Sequence, residues 1–256
     1  MQVIVVENAQ AVGEYVADTI IRRIEKGVLK VLGVATGSSP VPVYEALERR
    51  GVPSPQTLKA FALDEYVGLP KAHPESYHSV IERDVTRRLG LDPANVRVPE
   101  GDSDDIEHAG ARYEQAIREA GGVDLQILGI GATGHIGFNE PTSSLSSRTR
   151  IKTLTPQTRK DNARFFDSPD EVPQHCLTQG LGTIMDAREV VLVAHGASKA
   201  DAVAAAIEGP VSSMCPGSVL QFHENASFVV DEAAAAKLTL REYYDFTVQN
   251  RPEWQR

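Results

Sequence analysis

Short apolar runs alternate with amphipathic helical patterns along this chain, and that alternation constrains the fold more than any other feature. Runs rich in Val, Ile and Leu predict six strands, at residues 3–6, 28–35, 59–63, 124–129, 189–194 and 226–230. Helical periodicity predicts helices at residues 12–24, 40–50, 77–89, 106–117, 198–208 and 231–244. Apolar strands separated by helices are typical of parallel sheets that are buried on both faces. We therefore predict an α/β fold, with a largely parallel sheet covered by helices on both faces.

Composition narrows the class of protein. The chain has 256 residues, of which 41% are hydrophobic and 24% charged, so it can bury a substantial core. No internal repeat, low-complexity tract or linker divides it, and we expect one domain spanning residues 1–256. The net charge of -9 and the pI near 5.3 argue against nucleic acid or an anionic membrane as the main partner.

Cysteine usage and the absence of targeting signals indicate the compartment. Cys176 and Cys215 are the two cysteines of the chain, which favours free thiols in a reducing cytosol over a disulfide framework. The apolar N-terminal run lacks a basic flank and is too short for a signal peptide. No apolar stretch is long enough for a membrane span. We expect a soluble, cytoplasmic protein.

Chemically interesting residues follow three of the predicted strands. The turn at residues 36–39 (Thr-Gly-Ser-Ser) follows the second strand, Asp64 and Glu65 follow the third, and a glycine-rich loop at residues 129–141 follows the fourth. In open α/β sheets, ligands bind beyond the carboxyl ends of the strands. We therefore expect these segments to converge on one crevice. Ser39 is the expected N-cap of the second helix, with Pro40 at its first position.

The glycine-rich loop begins with G-x-G-x-x-G, the spacing of a dinucleotide-binding turn. Its continuation argues against that function. His135 follows the third glycine, and Pro141 favours an extended backbone at Glu140, where a dinucleotide fold would continue a helix. The small neighbours Gly134 and Gly137 suit the close approach of a ligand. This pattern predicts a loop that presents an imidazole and a carboxylate to a reaction site.

Each candidate residue also has a structural alternative. Asp64 at a strand end suits a general base, but it is equally typical of a cap. His135 could be a buried structural histidine, and Glu140 a loop charge. The hydroxyls and backbone N–H groups of Thr36, Gly37, Ser38 and Ser39 suit an anion, although such turns often only cap a helix.

Two basic residues, Arg164 and Lys199, are candidate phosphate ligands, although each taken alone is more typical of a solvated surface charge. The seven histidines show neither an HExxH pattern nor clustering with cysteine, so we predict no metal site.

Three segments together closely resemble glucosamine-6-phosphate deaminases. They are residues 63–69 (Leu-Asp-Glu-Tyr-Val-Gly-Leu), 129–141 with Gly-His-Ile-Gly-Phe-Asn-Glu-Pro at its end, and 146–155 (Ser-Ser-Arg-Thr-Arg-Ile-Lys-Thr-Leu-Thr). The resemblance covers nearly the whole chain, from about residue 3 to 245. It implies a modified Rossmann-like sheet and the cofactor-independent conversion of glucosamine 6-phosphate and water to fructose 6-phosphate and ammonia, which combines hydrolytic deamination with aldose–ketose isomerisation.

The resemblance also implies roles by position. Asp64 corresponds to the base that moves a proton between C2 and C1, His135 to the residue that assists ring opening, and Glu140 to its orienting carboxylate. The phosphate grip corresponds to Thr36, Gly37, Ser38, Ser39, Gly134, Arg164 and Lys199. The segment at residues 152–176 resembles a lid.

Two features depart from or extend the family pattern. Many members carry an acidic residue or Asn two positions before the histidine, where this chain has Thr133 with a neutral hydroxyl. We expect His135 to depend more on Glu140, and ring opening to be slower or shifted in pH, with isomerisation retained. Some members are hexamers activated by N-acetylglucosamine 6-phosphate at a subunit interface. The residues that match this effector pocket are Ser143, Ser144, Arg150 and Lys152, while the C-terminal tyrosine of the pocket has no clean counterpart.

Three rival functions remain. A 6-phosphogluconolactonase shares the fold and a glycine-rich histidine loop, but its loop typically continues into Ser-Leu-Phe-Pro. A non-catalytic sugar-phosphate sensor is conceivable because of Thr133, although a sensor does not need Asp64, His135 and Glu140 together. Dinucleotide binding ranks last.

Overall fold

The computed structural model describes residues 1–252, and its strands form two sheets. In chain order the strands are β1 (Gln2–Val6), β2 (Val31–Val34), β3 (Lys59–Ala62), β4 (Asp64–Tyr66), β5 (Val96–Arg97), β6 (Leu125–Leu128), β7 (Arg150–Thr153), β8 (His175–Thr178), β9 (Val190–Ala194) and β10 (Ala226–Asp231). The larger sheet has the order β1-β10-β9-β6-β2-β3-β5, and all its strand pairs are parallel. All six predicted strands lie in this sheet.

Helices cover both faces of the larger sheet. In chain order they are α1 (Ala9–Glu25), α2 (Val41–Arg50), α3 (Tyr77–Ile81), α4 (Ile106–Glu119), α5 (Pro156–Asn162), α6 (Leu181–Met185), α7 (Ala200–Ile207) and α8 (Arg241–Gln249). A π-helical segment, Glu82–Arg87, continues α3.

Alternate residues of the strands belong to two separate cores, as a two-sided sheet requires. On β9, Val191 and Val193 pack in the core formed with α1, α2 and α3, whereas Leu192 lies in the core formed with α4, α6 and α7. The predicted α/β class is therefore confirmed. No helix within residues 1–252 combines the length and apolar character that crossing a membrane requires.

A small antiparallel sheet, β4-β8-β7, was not predicted. Asp64 pairs with Thr178, and Arg150 pairs with Thr178 from the other side. The chain between β7 and β8 holds α5 and two short 3-10 turns, Ala163–Phe165 and Pro169–Glu171. This sheet thus joins the strand that carries Asp64 to the segment that resembles a lid.

Two local predictions are wrong. Pro40, not Ser39, occupies the N-cap position of α2, and no side chain caps that helix. The helix expected at residues 231–244 is replaced by the end of β10, a series of turns, and α8 ten residues later. The Asp231 carboxylate accepts hydrogen bonds from the backbone N–H groups of Ala234 and Gly196, so it closes a turn where the periodicity had indicated a helix start.

Candidate active site

Three loops meet at the carboxyl ends of β2, β6 and β9, which are neighbours in the sheet. A Cβ atom built on Gly129 would lie 3.3 Å from the Cβ of Ser39, so the turn at residues 36–39 touches the start of the glycine-rich loop. Lys199 follows β9, and its Nζ donates a hydrogen bond of 2.7 Å to the carbonyl oxygen of Ile130 in the same loop. Segments that are far apart in the sequence therefore meet at this edge of the sheet, as the sequence predicts.

Asp64 lies at the same edge, two residues beyond the end of β3, and is 5% exposed. Burial, with a smaller contribution from the neighbouring charge of Glu65, raises the pKa of Asp64 to about 8. The glycine-rich loop reaches this carboxylate, since a Cβ atom built on Gly137 would lie 3.5 Å from Asp64 Oδ2 and 3.0 Å from Thr178 Oγ1. Gly137 also has a φ of +56°, which favours glycine. The arrangement provides a basic carboxylate in a tightly packed pocket.

Glu65, next to Asp64, is also buried, but its carboxylate is hydrogen-bonded to three backbone N–H groups. Its Oε1 accepts hydrogen bonds from the backbone N–H groups of Tyr66 and Tyr77, and its Oε2 accepts one from His78, each at 2.8 Å. Burial still raises the pKa of Glu65, although these hydrogen bonds oppose it. Glu65 therefore joins α3 to β4 through its hydrogen bonds.

An aromatic wall flanks Asp64. The Tyr66 ring lies 4.8 Å from Tyr77, 5.9 Å from Phe138 and 5.8 Å from Phe166, measured between centroids. Burial, together with the charge of Asp64, raises the pKa of Tyr66 to about 12, so its hydroxyl stays protonated near neutral pH. This wall lowers the local polarity and explains why the carboxylate holds its proton so strongly.

His135, Glu140 and Thr133 form one hydrogen-bonded network. The Thr133 hydroxyl donates to Glu140 Oε2 at 3.0 Å and lies 2.9 Å from His135 Nδ1. Glu140 Oε1 lies 3.2 Å from the same Nδ1. Because the only hydroxyl proton of Thr133 goes to the carboxylate, Nδ1 must carry the ring proton, and Nε2 is left free to exchange protons with a ligand.

Thr133 thus bridges the imidazole and the carboxylate instead of leaving a gap. Glu140 is 3% exposed. Burial would raise the pKa of Glu140, but hydrogen bonds and charge from His135, with hydrogen bonds from Thr158 and Thr133, lower it overall. The network therefore holds an ionised carboxylate behind the imidazole.

Gly131 makes room for the imidazole. A Cβ atom at this position would lie 2.1 Å from both Cε1 and Nε2 of His135. No side chain fits there, because real Cβ contacts are never so short. The second glycine of the G-x-G-x-x-G pattern therefore admits a histidine ring where a dinucleotide fold would admit a pyrophosphate.

The two candidate phosphate ligands lie near each other. Burial, and then the positive charge of Arg164, lowers the pKa of Lys199. Arg164 is exposed in the segment between β7 and β8, with its guanidinium 4.6 Å from the centroid of the Phe165 ring. An anion placed between the two cations would relieve their repulsion.

The predicted effector residues are less accessible than expected. Ser143 is 2% exposed, and within residues 1–252 its buried Oγ has no hydrogen-bond partner. Arg150 is half-buried and donates from Nη1 to Asn139 Oδ1 at 2.9 Å. Ser144 is exposed and pairs with Ser146, and Lys152 lies half-buried on β7.

Several residues of the site were missed by the sequence analysis. They are Tyr66, Tyr77, Asn139, Thr158 and Asn162. Thr155-Pro156 is a recognisable helix start that could have located α5, since Thr155 caps that helix. Nothing local in the sequence signals that α5 reaches Glu140. Across residues 1–252, His, Cys, Asp and Glu side chains form no group of three that could hold a metal ion.

Comparison with known proteins identifies a family that the chain matches. The sequence profile of the glucosamine-6-phosphate isomerases/6-phosphogluconolactonase family matches residues 6–229. The chain is 58% identical over 254 residues to a glucosamine-6-phosphate deaminase of Cutibacterium acnes, covering 98% of this chain and 97% of that protein. It is 54% identical over 259 residues to the corresponding protein of Streptomyces coelicolor, covering 100% of this chain and 99% of that protein.

Two solved structures have a similar fold. A monomeric glucosamine-6-phosphate deaminase superimposes with a TM-score of 0.89 at 37% identity, covering 93% of this chain and 100% of that one. A 6-phosphogluconolactonase from Trypanosoma cruzi gives a TM-score of 0.73 at 20% identity, covering 93% of this chain and 97% of that one. At that identity the second likeness shows a shared fold alone.

Proposed function

Because the chain belongs to the glucosamine-6-phosphate isomerase/6-phosphogluconolactonase family, we propose that it converts glucosamine 6-phosphate and water to fructose 6-phosphate and ammonia. The observation that carries this proposal is the placement of a buried carboxylate with a pKa of about 8, Asp64, beside a loop that presents an oriented imidazole, His135. Eight relatives that are 52–58% identical over nearly the whole chain bear the name of this deaminase.

The first step in the proposed mechanism is opening of the pyranose ring. His135 Nε2 accepts the proton of the C1 hydroxyl and returns a proton to the ring oxygen, which breaks the C1–O5 bond and leaves an aldehyde at C1. Glu140 stabilises the transient imidazolium, and Thr133 holds the two in register.

Isomerisation and deamination follow. The Asp64 carboxylate removes the C2 proton, and O1 of the aldehyde takes a proton from the substrate ammonium group, which gives an enolamine. Asp64 then returns its proton to C1, which leaves a protonated imine at C2. A carboxylate with a raised pKa has a high affinity for that proton. The C2 imine then takes up water and releases ammonia, which leaves the ketone of fructose 6-phosphate. The steps are proton transfers, addition of water and loss of ammonia, and none needs a redox or group-transfer cofactor, so the proposed reaction is cofactor-independent.

The phosphate group of the substrate is proposed to lie between Arg164, Lys199 and the turn at residues 36–39. Gly134 contributes by close packing, since a Cβ atom there would lie 2.6 Å from Cys215 Sγ. We propose that residues 152–176 form a lid over this site within one domain. A cytoplasmic location is in keeping with Cys176 and Cys215, which are both free thiols.

The assay that tests this function compares two substrates. The protein should form fructose 6-phosphate from glucosamine 6-phosphate and leave 6-phosphogluconolactone unhydrolysed above the spontaneous rate. Hydrolysis of the lactone without deamination would show that the protein is a 6-phosphogluconolactonase instead. Tight binding of the sugar phosphate with no turnover of either compound would indicate a sensor, which the intact His135–Glu140 pair disfavours.

We further propose that the chain forms a homo-oligomer of up to six subunits. N-acetylglucosamine 6-phosphate would activate it by binding at Ser143, Ser144, Arg150 and Lys152. Two half-buried cations, Arg150 and Lys152, support an anion site there. Arg150 would have to leave Asn139 to bind the effector. Rate curves that do not respond to the acetylated sugar phosphate, with a monomer in sedimentation, would instead place this chain with its monomeric relative.

A further inference from the structure

The short helix α5 contacts both halves of the proposed catalytic apparatus. Thr158 and Asn162 are four residues apart on it and therefore share one face. Thr158 Oγ1 donates a short hydrogen bond to Glu140 Oε1. Asn162 Nδ2 donates to the Tyr66 hydroxyl at 3.0 Å, on the side of the pocket where Asp64 lies. One helical turn of the proposed lid thus spans from the ring-opening pair to the wall beside the base.

The direction of the Thr158 hydroxyl is fixed. Thr155, the N-cap of α5, donates its own hydroxyl proton to Thr158 Oγ1 at 2.9 Å and accepts the Thr158 N–H at 3.1 Å. The Thr158 oxygen is therefore occupied as an acceptor, and its proton points to the Glu140 carboxylate. Thr158 is 7% exposed, so water competes little for this bond.

Glu140 is consequently held on both oxygens. Thr133 donates to Oε2 from the glycine-rich loop, and Thr158 donates to Oε1 from α5. The His135 ring shares Oε1 through Nδ1. Removal of the Thr158 hydroxyl would leave Glu140 oriented by Thr133 alone, through Oε2, and Oε1, the oxygen that faces the imidazole, would be held less firmly.

We propose that Thr158 is a positioning residue that couples closure of the lid to the orientation of His135. The inference rests on the proposed deaminase function for its kinetic consequence, but the positioning itself is a property of the substrate-free protein. When α5 is docked, the imidazole is locked with its proton on Nδ1 and Nε2 faces the ligand. When α5 moves away, the ring-opening pair loses one of the two hydroxyls that orient it.

Other groups near Glu140 do not replace this contact. The titratable side chain that faces it from its own loop is His135. From β7, Arg150 reaches Asn139, the residue before Glu140, and from β4 the Asp64 carboxylate lies behind Gly137. Neither Arg150 nor Asp64 donates a hydrogen bond to the carboxylate within residues 1–252.

The test compares Thr158→Val, Thr158→Ser and Asn162→Ala. Val removes the hydroxyl with little change of shape, Ser restores it, and Asn162→Ala removes the other hydrogen bond of α5 while leaving Thr158 in place. The first readout is the ring nitrogens of His135 in the substrate-free protein, observed by long-range 1H–15N NMR. The second is kcat and KM for glucosamine 6-phosphate across pH.

We expect Thr158→Val to convert the fixed Nδ1–H form of His135 to a mixture of tautomers and to lower kcat about tenfold with little change in KM, as loss of a hydrogen bond to a charged group predicts. Its acid limb should move to higher pH, because loss of a donor raises the pKa of Glu140. Thr158→Ser should behave as the parent, and Asn162→Ala should leave the His135 signals unchanged.

An unchanged His135 spectrum in Thr158→Val, or equal effects of Thr158→Val and Asn162→Ala on both readouts, would overturn the proposal and leave α5 a purely structural lid. If the parent protein releases no ammonia, the proposed function fails. The NMR comparison still decides the positioning role in that case, because it needs no turnover.

Discussion

Replacement of Asp64 by Asn should stabilise the protein at alkaline pH. In the folded protein Asp64 has a pKa of about 8, against an ordinary 3.8, because it is buried among aromatic rings. Below pH 4 both the folded and unfolded forms carry the proton. Between these two values only the folded form keeps it, so the free energy of unfolding falls as pH rises.

The size of this effect follows from the shift. Each pH unit in that window costs about 1.4 kcal/mol, and a window of about four units gives roughly 5–6 kcal/mol in total. The neutral carboxyl therefore contributes its full stability below about pH 4, and this is lost by about pH 8. An amide at position 64 keeps the shape of the carboxyl group and cannot ionise. The free energy of unfolding of Asp64→Asn should therefore exceed that of the parent by this amount at about pH 8.

Urea unfolding of the parent and Asp64→Asn at several pH values from 6 to 9 measures the difference directly. The advantage of the variant should grow by about 1.4 kcal/mol per pH unit up to pH 8 and then level off. Asp104→Asn, at an exposed position, is the matched control and should show a difference that does not vary with pH. A constant difference for Asp64→Asn would refute the reasoning, because it would mean that Asp64 is ionised in the folded protein throughout the range.

Three further changes test the rest of the site. Thr133→Asp should move the pH–rate profile to higher pH, since a second carboxylate stabilises the imidazolium of His135; a profile identical to the parent's would count against the role of Thr133. Gly131→Ala should lower kcat about a hundredfold in a protein with native circular dichroism, because the new Cβ displaces the ring by clashing with Nε2. Lys199→Met should raise KM about tenfold or more and weaken inhibition by inorganic phosphate, as loss of a charge-assisted hydrogen bond predicts; equal inhibition would remove Lys199 from the phosphate site.

The sequence predicts the parallel sheet well because its strands are buried on both faces. β9 is apolar at every position, from Val190 to Ala194, and such runs leave little ambiguity. The sequence does not predict the small antiparallel sheet, because its strands lack such a continuous apolar run. β7 alternates between half-buried and exposed residues and includes Arg150 and Lys152, which resembles a loop as much as an edge strand.

The catalytic candidates were accessible from sequence because a histidine among glycines and an acidic pair after a strand are unusual locally. Their partners were not accessible, since Thr158 meets Glu140 across 18 residues and Asn162 meets Tyr66 across 96. The misplaced helix at residues 231–244 has a related cause. The side chain of Asp231 bonds to Gly196, 35 residues away, and a periodicity argument does not include such a contact.

The structure also changes the interpretation of Thr133, which stands where many family members have an acidic residue or Asn. From sequence, Thr133 is a weak substitute for an acidic residue. In the structure, its hydroxyl donates to one oxygen of Glu140 and lies 2.9 Å from His135 Nδ1, so it helps Thr158 to orient the carboxylate that faces the imidazole. A neutral hydroxyl can therefore orient the imidazole, although it cannot add a second negative charge.

The most direct test of the account is ammonia release from glucosamine 6-phosphate by the parent protein and by Asp64→Asn. We expect the parent to release ammonia and form fructose 6-phosphate in equal amounts, while Asp64→Asn stays folded, still binds the substrate and releases essentially none. Ammonia release by Asp64→Asn at the rate of the parent would contradict the assignment of the base. No release by a folded parent protein would contradict the function itself.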